Sequence, residues 1–392
     1  MVMTPPKVYT DINHRPKWDV HNPHSRLGQM WVSSLRKIYN PIGFHKGYNF
    51  PLFIIGVGGL MGFVLSRVYY FDFDGTFSQD AIPGEFYYYR SGHYKVGILL
   101  HLAGVLPGGF LACLQFIPLI RYKALLFHRL NGYAAIILLL AGNAGAFMIA
   151  KHAVGGSLSL QLWIGVTGSM ITAGLVLAYV NIKRLQIDQH RAWMLRVWTW
   201  AASIVSLRLI LLAATRVITV YGYTYHTAIR CAEIHYMYAH VGVPDQGNPT
   251  GQIYPQCTME IDPTTGTPTG GSVNPATNTQ TFVSVTNMGA GPENAAAMVR
   301  IIFPMAGWLA LIVHGLVVET YLWLTPAESY RLRTVSYERQ VEKGMRPRGR
   351  FKDAGLTGTR VGDAPGWWSL PEGDYAEERR RIEEAVVAKE EG

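Results

Sequence analysis

Polar positions along this chain are bunched into a few segments. Residues 96 to 120 run for 25 positions without a single Asp, Glu, Lys or Arg, more than the roughly 20 residues needed to cross a bilayer core of about 30 Å. Comparable apolar stretches lie at about 51–71, 131–150, 158–182, 192–215 and 301–324. None shows the two-residue alternation of a barrel strand, and backbone groups in lipid must be satisfied within their own segment, so each predicts a helix. The predicted fold class is therefore all-α: a polytopic integral membrane bundle of about six transmembrane helices. No short hydrophobic segment with a cleavage site precedes the first run, which reads as an uncleaved signal anchor.

Charge turns these runs into a topology. Only 16% of the 392 residues are Asp, Glu, Lys or Arg, against about a quarter in soluble domains. Of the 35 Lys and Arg, 26 lie in the N-terminal arm, in the loops after spans two and four, and in the tail. Seven lie on the opposite side, and Arg196 and Arg208 fall inside span five. Excess Lys and Arg marks the cytoplasmic face, so both termini are expected there. The net charge of +9 is thus a membrane signature and not one of nucleic-acid binding; the expected partners are membrane lipids and a hydrophobic small molecule.

The predicted organisation is an arm at 1–50, a five-helix membrane region at 51–218, a non-cytoplasmic loop at 219–300, the sixth span at 301–324 and a largely disordered tail at 325–392. Gly, Pro, Thr and Asn crowd residues 242–292, so the loop reads as mostly irregular. It carries Cys231 and Cys257, and its location in an oxidising compartment predicts a disulfide between them. Cys113, in span two, reads as a buried packing residue. In the tail, Arg-rich from 331 to 360, a basic grip on anionic lipid is the sharper reading beside plain disorder.

The loops before spans three and five are alike: Arg121-Tyr122-Lys123 leads to His128-Arg129, and Lys183-Arg184 leads to His190-Arg191. A duplicated two-helix unit would produce this pattern. Together with Gln115-Phe116-Ile117-Pro118, Leu130-Asn131-Gly132-Tyr133, Ala192-Trp193-Met194-Leu195-Arg196 and Leu207-Arg208, residues 93 to 216 resemble a family of predicted multi-span membrane proteins of unknown function found in bacteria and fungi. The resemblance implies membership of a family without an established activity. The layout is also similar, in architecture alone, to transmembrane b-type cytochromes.

Ionisable groups inside spans are expensive and mark candidate sites. In span two, His101 shares a helical face with Gly104, Gly108, Ala112 and Gln115. Span six offers Gly307, Ala310 and His314 on one face and Glu319 nearer the cytoplasm. Arg196 is expected to snorkel to the interface, whereas Arg208 is deeper and needs a partner that the sequence does not name.

Two chemistries compete for these residues. Histidine-ligated haem, serving electron transfer, would draw on His128, His190, His101 and His314, with His152 a weaker candidate. A membrane-bound biosynthetic enzyme, cyclase-like or lipid-modifying, would hold an anionic or isoprenoid intermediate on Arg129 and Arg191 and use a buried carboxyl as acid, with Glu319 and Arg208 as catalytic candidates. Asp188, Glu85 and Glu233 are further carboxylates near the membrane surfaces. A non-catalytic transporter or scaffold is the third reading. No Walker-type, HExxH, CxxC or Gly-x-Ser-x-Gly motif is present.

Overall fold

A computed structural model describes residues 26–44, 47–240, 249–261, 264 and 268–345. Among the described residues six helices are long and apolar enough to cross a membrane: Asn49–Phe71, Gly92–Gln115, Leu125–Ile149, Leu158–Lys183, Ile187–Tyr221 and Pro292–Leu324, here spans one to six. The protein is a polytopic helical membrane bundle. One end, the basic end, carries the loops after spans two and four; the other, the loop end, carries the segment between spans five and six.

Span boundaries follow local chemistry that hydropathy alone blurs. Span two stops at Gln115 and a separate helix, Pro118–Lys123, follows, because Ile117 is held extended before the proline (φ −80°, ψ 109°). Span six starts at Pro292, nine residues before its apolar run; Pro292 occupies the first turn, and Glu293, Asn294 and Arg300 are polar yet buried. Span five is two helices, Ile187–Ala201 and Ser203–Tyr221. Beside the break, His314 of span six donates from Nδ1 to the Thr199 carbonyl at 2.7 Å, and its Nε2 lies 2.7 Å from the Ser206 hydroxyl. A carbonyl only accepts, so Nδ1 carries the hydrogen and Nε2 accepts from Ser206. The histidine thus bridges both halves of a broken helix.

Spans two and three pack along their glycines. A Cβ on Gly104 would stand 2.6 Å from Gly142 Cα, and one on Gly145 would stand 2.5 Å from His101 N. Side chains on either face would force the helices apart, and this close approach is what lets dispersion contacts replace a hydrophobic drive in lipid. Span four packs on the first half of span five, and span six on the second half.

The loop end is more ordered than its composition predicts. Strands β1 (His226–Arg230) and β4 (Phe282–Thr286) pair antiparallel with Ala228 opposite Ser284, and β2 (Met259–Ile261) pairs with β3 (Pro268–Ser272). In β4, Val283 and Val285 are buried while Phe282 and Ser284 are exposed, the alternation of a half-buried strand. They form a small core with Ile229, Ile234, Met237, Ala296 and Ala297. The Cys231–Cys257 disulfide, with Cα atoms 5.4 Å apart, ties this unit together. In the tail, residues Pro326–Glu342 are helical. The arm before Arg26 and the tail beyond residue 345 lie outside the described residues, so the segment at 331–360 expected to grip lipid is described only to residue 345.

Candidate functional site

The residues proposed from sequence separate into those that hold helices together and those that do not. His101 donates from Nδ1 to the Gly142 carbonyl on span three at 2.8 Å, and His190 to the Ala178 carbonyl on span four at 2.9 Å. His314 has both ring nitrogens engaged at the span-five break. His128 differs, since its Nδ1 is buried without a hydrogen-bond partner.

Two of these histidines, His101 and His314, do not fit haem ligation. His101 sits in a glycine-packed helix interface with no room for a macrocycle, and His314 would have to abandon Ser206 to bind iron. Among the described residues no group of three His, Cys, Asp or Glu side chains is placed to hold a metal ion.

Glu319 and Arg196 find each other. The Arg196 guanidinium donates from Nε to Oε1 at 2.7 Å and from the terminal nitrogen to Oε2 at 2.8 Å, bridging spans five and six. Arg196 is therefore buried and paired, and does not snorkel; a bidentate fork gives geometry as well as charge. Both Glu319 oxygens accept from Arg196 in this arrangement. Of the two candidate anion-binding arginines, Arg129 is exposed, whereas Arg191 donates to the Tyr321 hydroxyl at 3.4 Å.

Of the carboxyls that sequence placed only near the membrane surface, Asp188 and Glu233 are buried and Glu85 is half-buried. Glu233, on helix Cys231–His240, is 2% exposed, and Arg300, in span six, is 8% exposed. They form an ion pair. The Tyr88 hydroxyl donates to Glu233 Oε2 at 3.1 Å, and the Tyr88 ring stacks on His152, centroids 4.0 Å apart. Glu85, at the start of helix Glu85–Tyr89, accepts from Val154 N–H at 2.8 Å and from the Tyr89 hydroxyl at 3.4 Å. Both bonds land on Oε1, and Oε2 takes part in neither.

The backbone around these groups admits little else. Gly84 has φ of +87°, and a Cβ there would meet the Glu233 carboxyl and, at 2.8 Å, Met237 Cε. Gly155, with φ of +80°, lies against Arg300, whose Cδ would be 2.6 Å from an added Cβ. Between them Val154 is held at φ 45°, ψ 44°, a left-handed conformation that a β-branched residue adopts only when its surroundings enforce it. The result is an N–H aimed at Glu85.

The electrostatics follow from this burial. Withdrawal from water pushes the Glu85 carboxyl above its ordinary range, opposed by the Val154 N–H and by the charges of Arg208 and Arg300. Burial likewise pushes Glu233 up, with Arg300 pulling the other way. Tyr88 is raised by burial and by Glu233, and His152 is lowered to about 4 by burial and by Lys151 and Arg230. Arg208 therefore has Glu85 as its nearby opposite charge, the partner the sequence does not name. Its guanidinium also covers the Phe303 ring at 5.0 Å. The Nε atoms of Arg208, Arg230 and Arg300 are buried without hydrogen-bond partners. Two carboxyls with unlike surroundings and three arginines with spare donors thus meet at the loop end. Such a set can transfer a proton and can hold an acceptor oxygen.

Residues 98–237 match the family described as a predicted membrane protein (DUF2306). The chain is also similar to "Ava biosynthesis cluster protein G" of Aspergillus versicolor, 26% identical over 175 residues that make up 38% of this chain and 52% of that protein. The chain thus spans about half the length of this curated relative. No solved structure matches it. Glu233, Arg208, Arg230 and Val154 fall inside the matched family segment, while Glu85, Tyr88 and Arg300 come from outside it. Over residues 98–237, then, the chain matches a family of predicted membrane proteins, as its paired His-Arg motifs and Gln115-Phe116-Ile117-Pro118 indicate.

Proposed function

We propose that this protein is a membrane-bound enzyme of a small-molecule biosynthetic pathway that carries out proton-transfer chemistry on a lipophilic intermediate at its loop end. The observation that carries this reading is the pair Glu85 and Glu233. Glu85 is half-buried and held by neutral donors, and Glu233 is buried and held by Arg300. A carboxyl whose affinity for its proton is raised by burial can act as a general acid, and a second one held by a guanidinium is the better placed of the two to accept a proton back. In the proposed reaction Glu85 gives the proton on Oε2 to a π bond or strained oxygen ring of the substrate. Loss of a substrate C–H proton restores the acid, so the net change is an isomerisation without a co-reactant. The unpartnered arginine Nε atoms would hold an oxygen of the intermediate.

Similarity to a protein named for a biosynthesis cluster supports the pathway setting. The basic end is taken as cytoplasmic. The Lys and Arg distribution supports this, as does the disulfide at the opposite end, in keeping with an oxidising compartment. The test is metabolite profiling of the producing organism with wild-type protein, Glu85→Gln and Glu233→Gln, each checked for membrane expression. Accumulation of one lipophilic intermediate in Glu85→Gln, absent in wild type, supports the reading. An unchanged profile in both variants at equal expression refutes it.

A further inference from the structure

The basic end holds a second charged cluster, assembled from five separate segments. Glu328, in the first turn of the tail helix Pro326–Glu342, accepts from Arg331 Nε at 2.9 Å and from its terminal nitrogen at 2.7 Å. The charges of Arg191, which opens span five, and of Arg121, from helix Pro118–Lys123, act on the same carboxylate. Together with Arg331 they hold it below the usual carboxylate range despite partial burial. The Tyr321 hydroxyl at the end of span six accepts from Arg191 and donates to Asn49 Oδ1 at 3.3 Å. Leu119 N–H donates to the Ile42 carbonyl at 3.0 Å, fixing the helix of Arg121 against the segment that leads into span one. One guanidinium thus grips the carboxylate directly, and two more lie near enough for their charges to act on it while making their own bonds to Tyr321 and Tyr122.

We propose that this cluster binds a phosphate-bearing anion, with Glu328 occupying the anion position in its absence. The inference does not depend on the loop-end reading, because no residue is shared and the two sites lie at opposite ends of the bundle. Three features carry it. An intramolecular carboxylate already sits in a bidentate guanidinium fork, the geometry that phosphate oxygens also satisfy. One carboxylate does not neutralise three arginines, whereas a phosphate with two charges does so more closely. The arginines come from the loops after spans two and four and from the tail, so a ligand here would clamp these segments together. The ligand's chemistry is a terminal phosphate or diphosphate, and its source is either a lipid headgroup or a soluble phosphorylated molecule.

The experiment uses the full-length protein in phosphatidylcholine nanodiscs, titrated with inorganic diphosphate by calorimetry. A parallel arm counts, by native mass spectrometry, the phosphatidic acid retained after delipidation. Wild type is expected to bind at least one probe. Arg191→Gln/Arg331→Gln should weaken that binding by about tenfold or more, and Glu328→Gln, which removes the competing carboxylate, should tighten it several-fold. Diphosphate binding alone identifies a soluble ligand; retained phosphatidic acid that diphosphate displaces identifies a headgroup. The proposal is overturned if neither probe binds, if the double variant binds as wild type does, or if Glu328→Gln weakens binding. Should the double variant fail to fold, the direction of the Glu328→Gln effect decides.

Discussion

Replacing Arg300 with methionine tests whether the loop-end cluster has the charge balance described above. Methionine keeps an unbranched apolar stem against Gly155 and removes only the guanidinium. Glu233, 2% exposed, would then keep the Tyr88 hydroxyl at 3.1 Å and lose its ion-pair partner. Stranding one member of a buried pair costs about 3–5 kcal/mol, and the remaining hydrogen bond offsets about 1 kcal/mol at most. A net loss of about 2–4 kcal/mol is therefore expected at neutral pH. Glu233→Gln/Arg300→Met leaves no charge stranded and should recover at least about 1.5 kcal/mol of it, a non-additivity that distant sites do not show. The pH dependence has a fixed sign. Glu233 is raised by burial, so the penalty in Arg300→Met is present above its folded-state pKa and relieved as pH falls through that value toward the ordinary carboxylate range. The assay is reversible unfolding in mixed micelles of detergent and sodium dodecyl sulfate, followed by tryptophan fluorescence from pH 4.5 to 8. A deficit below about 1 kcal/mol, or a double variant no more stable than the single one, would refute the buried ion pair.

Three further outcomes follow from the same contacts. Glu85→Gln keeps the Oε1 acceptor for Val154 and Tyr89 and removes a carboxyl that burial has raised. Its stability should exceed that of wild type at neutral pH, with the gain fading as pH falls and the wild-type carboxyl protonates; a gain that grows on acidification contradicts the assignment. Gly104→Leu should lower thermal stability by about 1–3 kcal/mol, because no side chain fits against Gly142, and Gly165→Leu, where a Cβ meets nothing within 4 Å, should be near neutral in the same melt. Cys231→Ser/Cys257→Ser opens a closed loop with a sequence separation of 26, worth about 3 kcal/mol in the chain-entropy model. Limited proteolysis between 241 and 281 should accelerate in that variant while the spans stay intact, and an unchanged cleavage rate would show that the β1–β4 core suffices without the crosslink.

How legible the site was in the sequence depends on how far apart its parts lie. The glycine face of span two was readable because spacings of three and four are local, yet nothing local says that the facing glycines are Gly142 and Gly145. Arg196 and Glu319 could each be placed near the basic end, but their pairing needs spans five and six to be neighbours. From sequence Glu85 and Glu233 read as lying near the membrane surface, since a hydropathy window sees only that each adjoins polar residues. The burial of Glu233 against Arg300 and the partial burial of Glu85 are produced by the folded loop unit and by the turn through Val154. The strands within residues 242–292 are hard to read from sequence for a similar reason: strands as short as Phe282–Thr286 leave a weak local pattern and are held by partners some fifty residues away.

The sequence by itself determined that this chain is a multi-span helical membrane protein, with six segments long and apolar enough to cross among the described residues. Those properties depend on the length and polarity of single helices, which lipid enforces segment by segment. The tertiary structure alone decided which ionisable groups are out of water and which charge faces which. His101, His190 and His314 became struts between helices, Glu319 became the partner of Arg196, and the two raised carboxyls came together at the loop end. Desolvation and Coulomb energies depend on spatial neighbours, and these neighbours are brought together from distant segments by packing that no single segment encodes.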